Sequence, residues 1–141
     1  MKRIFSKVTV ALAVLTLSVP AWAETVSYKA DLSGKAESPP TTSAGQGSVA
    51  AVYDPANKTL VWTVNFTDLT GPVTAAHFHG PAAAGENAPP VIPIKSALTT
   101  PIKGSVTLTD QQAAELEAGK IYFNLHTAKF PNGEVRGQLM R

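Results

Sequence analysis

From residue 25 onward, the chain consists largely of short segments in which apolar and polar residues alternate. The segment 25–32 shows the pattern most clearly, because an apolar residue occupies every second position from Val26 to Leu32. This period of two is typical of β-strands that bury one face. The same reasoning predicts further strands over residues 47–53, 60–66, 73–79, 102–108, 121–126 and 134–140.

Residues typical of turns and loops separate these segments. Residues 33–45 are rich in Ser, Pro, Thr and Gly, and residues 81–93 contain four prolines, so both stretches are predicted to be loops. One short helix is predicted over residues 110–118. Thr109 is its expected N-cap with Gln112 completing a capping box, and the helix should stop at Gly119.

Short strands at regular spacing with hairpin connections predict an all-β fold. The expected architecture is an antiparallel, Greek-key-like β-sandwich of about seven or eight strands with one short helix. In the segment 60–66, the side chains of Trp62, Val64 and Phe66 share a face that is expected to be core.

The first 23 residues have the three parts of a signal peptide. Three basic residues lie within the first seven, residues 8–19 are mainly apolar, and residues 21–23 read Ala-Trp-Ala, a cleavage sequence. The apolar run is shorter than the roughly 20 residues that a membrane-spanning helix needs. We therefore expect residues 1–23 to be a signal peptide and residues 24–141 to be one exported domain, periplasmic or secreted, with no membrane span after cleavage.

Charge and cysteine content narrow the range of functions. The full chain has a net charge of +2, but three of its 12 basic residues lie in the predicted signal peptide, which leaves nine against ten acidic residues, or −1. A nearly neutral domain is not expected to bind nucleic acid or an anionic membrane. The chain has no cysteine, which excludes disulfides, thiol catalysis, thiolate zinc sites and blue-copper ligation.

All three histidines of the chain lie at the ends of predicted strands. His77 and His79 are two residues apart and share one face, while His126 ends a different strand. If the two strands are neighbours, three imidazoles converge and leave an open coordination position. Copper is the first choice for such a site and zinc the second, and shared ligation requires nitrogens within about 4 Å of one another. Alternatively, His77 and His126 only form hydrogen bonds that pin the strand ends.

Three polar residues are predicted to lie close to the histidines. Asn124 shares a face with His126, and Glu134 and Arg136 lie on the polar face of the last strand. Glu134 is a candidate to orient His126 through a hydrogen bond, and Arg136 is a candidate to attract an anion. The favoured interpretation of Glu134 and Arg136 is an ion pair on a solvated face, which contributes little to stability.

Three motifs together resemble the CHRD domain, a family named after chordin that also occurs in exported bacterial proteins. They are residues 75–81 (AAHFHGP), 119–127 (GKIYFNLHT) and 131–139 (PNGEVRGQL). The helix start at residues 108–112 (LTDQQ) fits between them, so the resemblance covers essentially residues 25–141. The resemblance implies a β-sandwich but no established reaction.

The chain is more loosely similar to copper/zinc superoxide dismutase, a β-sandwich in which a His-x-His pair and a later histidine bind copper. His77, His79 and His126 match that pattern in order, but there is no further histidine for a bridging or zinc site and no cysteine for the family's disulfide. The likeness therefore implies a mononuclear copper site and does not favour dismutation.

The sequence contains no motif that names a reaction, since it has no nucleophile elbow, phosphate-binding glycine loop or paired carboxylates at a recognisable spacing. A non-catalytic role is therefore favoured over an enzymatic one. The chain is predicted to be an exported metal-binding domain. The alternative is a metal-free extracellular binding or structural module that interacts with another protein or a surface component.

Overall fold

The computed structural model describes residues 23–141, so the predicted signal peptide lies almost entirely outside the described residues. Within the described part, the chain forms eight β-strands and one α-helix. The strands are β1 (Val26–Ser33), β2 (Gln46–Asp54), β3 (Thr59–Thr67), β4 (Val73–His79), β5 (Pro90–Pro93), β6 (Ile102–Thr107), β7 (Tyr122–Thr127) and β8 (Val135–Gln138). The helix α1 spans Asp110–Glu117, and a single 3-10 turn at Gly34–Ala36 follows β1.

The all-β prediction and the predicted helix are confirmed. The Thr109 hydroxyl accepts a hydrogen bond from the Gln112 backbone N–H, and Oε1 of Gln112 accepts one from the Thr109 backbone N–H. The helix ends before Gly119, whose φ is +70°. One prediction was wrong: residues 81–93 are not loop throughout, because β5 forms at their end. This strand has only four residues and lies at an edge of the sheet, where prolines cost no interior ladder hydrogen bonds.

All eight strands belong to one antiparallel sheet in the order β5-β4-β7-β8-β1-β2-β3-β6. β3 and β4 are five positions apart in this order, which would separate them by about 24 Å in a flat sheet. The rings of Trp62 on β3 and Phe78 on β4 nevertheless meet edge to face at 5.1 Å. The sheet is therefore curled so strongly that its two halves pack against each other.

The curl explains how one sheet produces the predicted sandwich. β8 and β1 join the halves through the pair Ser33 and Arg136 and an isolated bridge from Lys29 to Met140, whereas β1 and β2 pair over eight residues. Strands three apart in sequence are neighbours at two places, β3 with β6 and β4 with β7. Such long returns are Greek-key connections, as expected.

The core lies between the two halves. It includes Trp62 and Val64 on the face of β3 that was expected to be buried, while Phe66 at the end of that strand is only partly buried. β7 differs from the other strands because all six of its residues are buried. One face of β7 contacts the core. The other face is covered by the loop before β5, in which Ala88 contacts His79 and Glu86 contacts Arg136. This covered polar face carries the histidines.

Candidate metal centre

Pairing between β4 and β7 brings the three histidines to one face of the sheet. His77 lies directly opposite Asn124, and Ala75 lies opposite His126. Because side chains alternate between faces, His126 is the diagonal neighbour of His77, and His79 is the diagonal neighbour of Asn124. The neighbour relation between these two strands comes from the sheet order, which local sequence does not encode.

The imidazole rings are close enough to offer nitrogens to a common ion. Nδ1 of His77 lies 3.1 Å from Nε2 of His126, and one ring nitrogen from each of the three histidines lies within 4.8 Å of the others. Two nitrogens bound to one ion at roughly 2 Å are at most about 4 Å apart. Shared ligation therefore requires the two nitrogens that are farthest apart to close by about 1 Å or more.

Backbone carbonyl groups contact the Nδ1 atoms of two of the rings. Nδ1 of His79 lies 2.9 Å from the carbonyl oxygen of Ala88, and Nδ1 of His126 lies 2.8 Å from that of Pro131. A carbonyl oxygen can only accept a hydrogen bond, so these contacts favour a proton on Nδ1 and a lone pair on Nε2 in both rings. A histidine that donates its other ring N–H to a backbone carbonyl is the usual arrangement around protein-bound metals.

The surroundings also favour the uncharged form of two histidines. Burial lowers the pKa of His77, and the neighbouring His126 and His79 lower it further. Burial lowers the pKa of His79 as well, against the opposing effect of its hydrogen bonds to Ala88 and Asn124. Both side chains are therefore neutral at pH 7, which is the protonation state that metal coordination needs.

The stretch of sequence that contains the three histidines matches a known protein family. The model of the CHRD domain matches residues 28–139, which is most of the chain. The chain belongs to the CHRD domain family. Comparisons of the chain with curated proteins and with solved structures found no match. Among the residues that the structure describes, no helix of this CHRD domain is long and apolar enough to cross a membrane.

Arg136 does not form the solvated ion pair with Glu134 that the sequence suggested. Its guanidinium group pairs instead with Glu37, with Nε and Nη2 both 2.8 Å from Oε2, and lies 4.2 Å from the centre of the Tyr122 ring. Arg136 is only 4% exposed and Glu37 only 5%. The prediction of an exposed pair was wrong because the long loop before β5 covers this face: Arg136 also donates to the Glu86 carbonyl and to Asn87.

Glu134 is also buried, and its carboxylate points to partners other than His126. It accepts hydrogen bonds from the Ser43 hydroxyl, from the backbone N–H and hydroxyl of Thr70, and from the Thr127 hydroxyl. The group that meets the Nδ1 atom of His126 is the Pro131 carbonyl. Glu134 therefore joins loops near the site, and the expectation that it orients His126 finds no matching contact.

The structure adds two residues that sequence reasoning did not connect with the histidines. Tyr122 stacks on His79 with the rings 4.7 Å apart and nearly parallel, and its position two residues before Asn124 on the polar face offered a signal. Glu37 lies in a predicted loop, 87 residues before Asn124. An acidic residue in a polar loop gives no sign of burial, so Glu37 could be found only from the tertiary structure.

Proposed function

We propose that this CHRD domain is an exported module that binds one metal ion, copper first and zinc second, through His77, His79 and His126. The observation that carries the proposal is the position of one ring nitrogen from each histidine within 4.8 Å of the others. Neutral imidazoles suit copper and zinc, and copper binds more tightly to such ligands than zinc does.

The site is suited to holding a metal ion within a rigid frame. All three ligands lie on two paired strands, and His79 and His126 are each braced by a backbone carbonyl. His77 is only half-buried, so an ion would reach the site from the side on which His77 lies. Metal handling outside the cytoplasm fits these features better than catalysis, and the proposed export rests on the signal sequence in residues 1–23.

The proposal can be tested by titrating the processed protein, residues 24–141, with Cu²⁺ and with Zn²⁺ in an isothermal calorimeter. We expect one-to-one binding that is tighter for Cu²⁺. His77→Ala should weaken Cu²⁺ binding about tenfold or more, because it removes one ligand from the most exposed of the three positions. Glu117→Gln, which changes an exposed carboxylate on α1, is the control. Binding no tighter than high micromolar, or binding unchanged in His77→Ala, would contradict the proposal.

A metal-free module is the second candidate, and one observation favours it. Asn124 contacts both His79 and His126 at 2.9 Å, so the three side chains can act as a hydrogen-bonded structural network. This candidate predicts that His77→Ala and His126→Ala lower the melting temperature equally with Cu²⁺ and with a chelator. Metal binding predicts instead that Cu²⁺ at about 100 times its Kd stabilises the parent protein by roughly 2.7 kcal/mol and the variants much less.

A further inference from the structure

The side-chain amide of Asn124 lies at the centre of the histidine cluster. Its Oδ1 atom is 2.9 Å from Nε2 of His79 and 2.9 Å from Nε2 of His126. Asn124 is 1% exposed and lies opposite His77 across the β4–β7 ladder. One oxygen atom is thus directed at two of the three proposed ligands, from a strand position adjacent to the third.

These contacts cannot all be ordinary hydrogen bonds while the rings are neutral. His79 and His126 each lie between two oxygen acceptors, a backbone carbonyl at Nδ1 and Oδ1 of Asn124 at Nε2. Four nitrogen–oxygen contacts need four hydrogens, but two neutral imidazoles supply one each. With the protons on Nδ1, both Nε2 lone pairs face Oδ1 of Asn124. Nδ1 of His77 can donate to Nε2 of His126, which leaves the lone pair of His79 facing an acceptor, a contact that a bound cation would make favourable.

If the Asn124 amide were rotated by 180°, its Nδ2–H group could donate to Nε2 of both rings. The position of Glu37 disfavours this orientation of the amide. Nδ2 of Asn124 and Oε1 of Glu37 lie 2.7 and 2.5 Å from the point that a Cβ atom on Gly133 would occupy. A turned amide would put its oxygen next to a carboxylate.

Glu37 is itself fixed in this position. Arg136 holds its Oε2 atom through two nitrogens, both at 2.8 Å. The other oxygen, Oε1, is buried and has no hydrogen-bond partner among the described residues. The Asn124 amide N–H group lies on the same side of Gly133, so the negative charge of Glu37 favours Nδ2 over Oδ1 at that place. The pair Glu37 and Arg136 thereby keeps Oδ1 of Asn124 directed at the histidines.

We propose that Oδ1 of Asn124 is a fourth ligand of the metal ion, and that Glu37 and Arg136 are positioning residues that hold it there. This inference rests on the proposed function of the three histidines. Ligands at roughly 2 Å in a tetrahedral site are about 3.3 Å apart, and the Oδ1 contacts of 2.9 Å and the contact of 3.1 Å between His77 and His126 approach this spacing.

A fourth, oxygen ligand determines which metal ions the site prefers. Carbonyl oxygen is a hard donor that suits Cu²⁺ and Zn²⁺ better than the soft ion Cu⁺. The complete set of three nitrogens and one oxygen therefore stabilises Cu²⁺ relative to Cu⁺. Without the oxygen, the three imidazoles that remain distinguish the two oxidation states less.

The test measures Cu²⁺ and Cu⁺ affinities separately, with a competing chelator for each ion, in the processed protein and in Asn124→Leu. Leu is close in size to Asn but has no oxygen. We expect Asn124→Leu to weaken Cu²⁺ binding about tenfold or more, while Cu⁺ binding changes by less than about threefold. The matched control is Asn65→Leu on β3, where the side chain is exposed and remote from the histidines.

A second pair of variants keeps the test decisive if Asn124→Leu fails to fold. Asn124→Asp, combined with Glu37→Gln so that two buried carboxylates do not meet, retains the oxygen and should keep Cu²⁺ affinity at or above that of the parent. Glu37→Gln removes the charge that orients the amide and should weaken Cu²⁺ binding more than Cu⁺ binding.

The outcomes separate this inference from the proposed function. If the parent protein binds neither copper ion, the three-histidine proposal fails. If the parent binds copper but Asn124→Leu and Glu37→Gln bind Cu²⁺ as tightly, or lose both affinities equally, the three-histidine site stands and Asn124 is not a ligand.

Discussion

Gly104 on β6 shows how one missing side chain shapes the core. It lies directly opposite Trp62 in the β3–β6 ladder, and the indole ring lies over its Cα atom. A Cβ atom at this position would lie 2.5 Å from Cζ2 and 2.8 Å from Cε2 of the indole. The ring has little freedom to move away, because its other contacts include the edge-to-face pair with Phe78.

We therefore expect Gly104→Ala to lower the free energy of unfolding by about 1–3 kcal/mol, the usual cost of overpacking a core. Gly71→Ala is the control, because a Cβ there meets no atom within 4 Å and should change stability by less than about 0.5 kcal/mol. Urea unfolding monitored by circular dichroism measures both. Equal effects of the two substitutions would show that the contact with Trp62 is not responsible.

At the scale of single residues, the sequence identified the histidines but not all of their neighbours. His77, His79 and His126 were recognisable because histidine is rare in the chain and imidazole has a specific chemistry. Glu37 was not recognisable, because its role depends on burial beside Asn124, and burial of a loop residue is decided by the whole fold.

At the scale of elements, helix α1 begins where its capping box predicts. The helix has two buried positions, Ala113 and Leu116, so packing holds it only along a narrow stripe. Gln112 has a further role, since its side-chain Nε2 donates to the Val91 carbonyl on β5. The N-terminal end of the helix therefore also supports an edge strand.

Thr109→Ala removes the hydroxyl that accepts from the Gln112 backbone N–H. We expect a loss of about 1 kcal/mol in the free energy of unfolding, the typical contribution of an N-cap. Amide hydrogen exchange should also speed up in the first turn of α1. Gln111→Ala, in the same turn but outside the capping box, is expected to cost less than about 0.5 kcal/mol. A larger loss for Gln111→Ala than for Thr109→Ala would contradict this account of the helix start.

The strand β5 marks the limit of prediction for elements. Its four residues include two prolines, so neither length nor composition distinguishes it from a loop. It forms because β4 offers an unpaired edge, to which β5 adds through pairs such as His77 with Pro93. An element that depends on a partner strand for its existence has no local signal.

At the scale of the whole molecule, Glu134 joins segments that are far apart in sequence. Its buried carboxylate connects β8 to Ser43, Thr70 and Thr127. Burial alone would raise the pKa of Glu134, but the hydrogen bonds from Ser43, Thr127 and Thr70 outweigh it and hold the pKa below its ordinary value of 4.5. The ionised form is thus stabilised more in the folded protein than in the unfolded chain.

A carboxylate with a depressed pKa contributes stability that is fully present above its unfolded value and is lost as the pH falls through its folded value. At pH 7, Glu134→Gln should therefore have a free energy of unfolding about 1–3 kcal/mol lower than that of the parent. As the pH falls below 4.5, the free energy of unfolding should decrease less in Glu134→Gln than in the parent. Unfolding in urea across this pH range measures the effect. Glu117→Gln is the exposed control and should stay within about 0.5 kcal/mol at pH 7; a parallel pH dependence in Glu134→Gln and the parent would refute the assignment.

The sequence by itself determined seven of the eight described strands, where α1 begins and which residues are candidate metal ligands. These features depend on alternation, turn residues and capping, which act between residues close together in the chain. Only the tertiary structure decided that β4 lies beside β7, that one sheet curls into two layers, and that Glu37 and Arg136 meet behind Asn124. Strand order and burial arise from contacts between distant segments, so no local pattern specifies them, and the convergence of His77, His79 and His126 is one of their consequences.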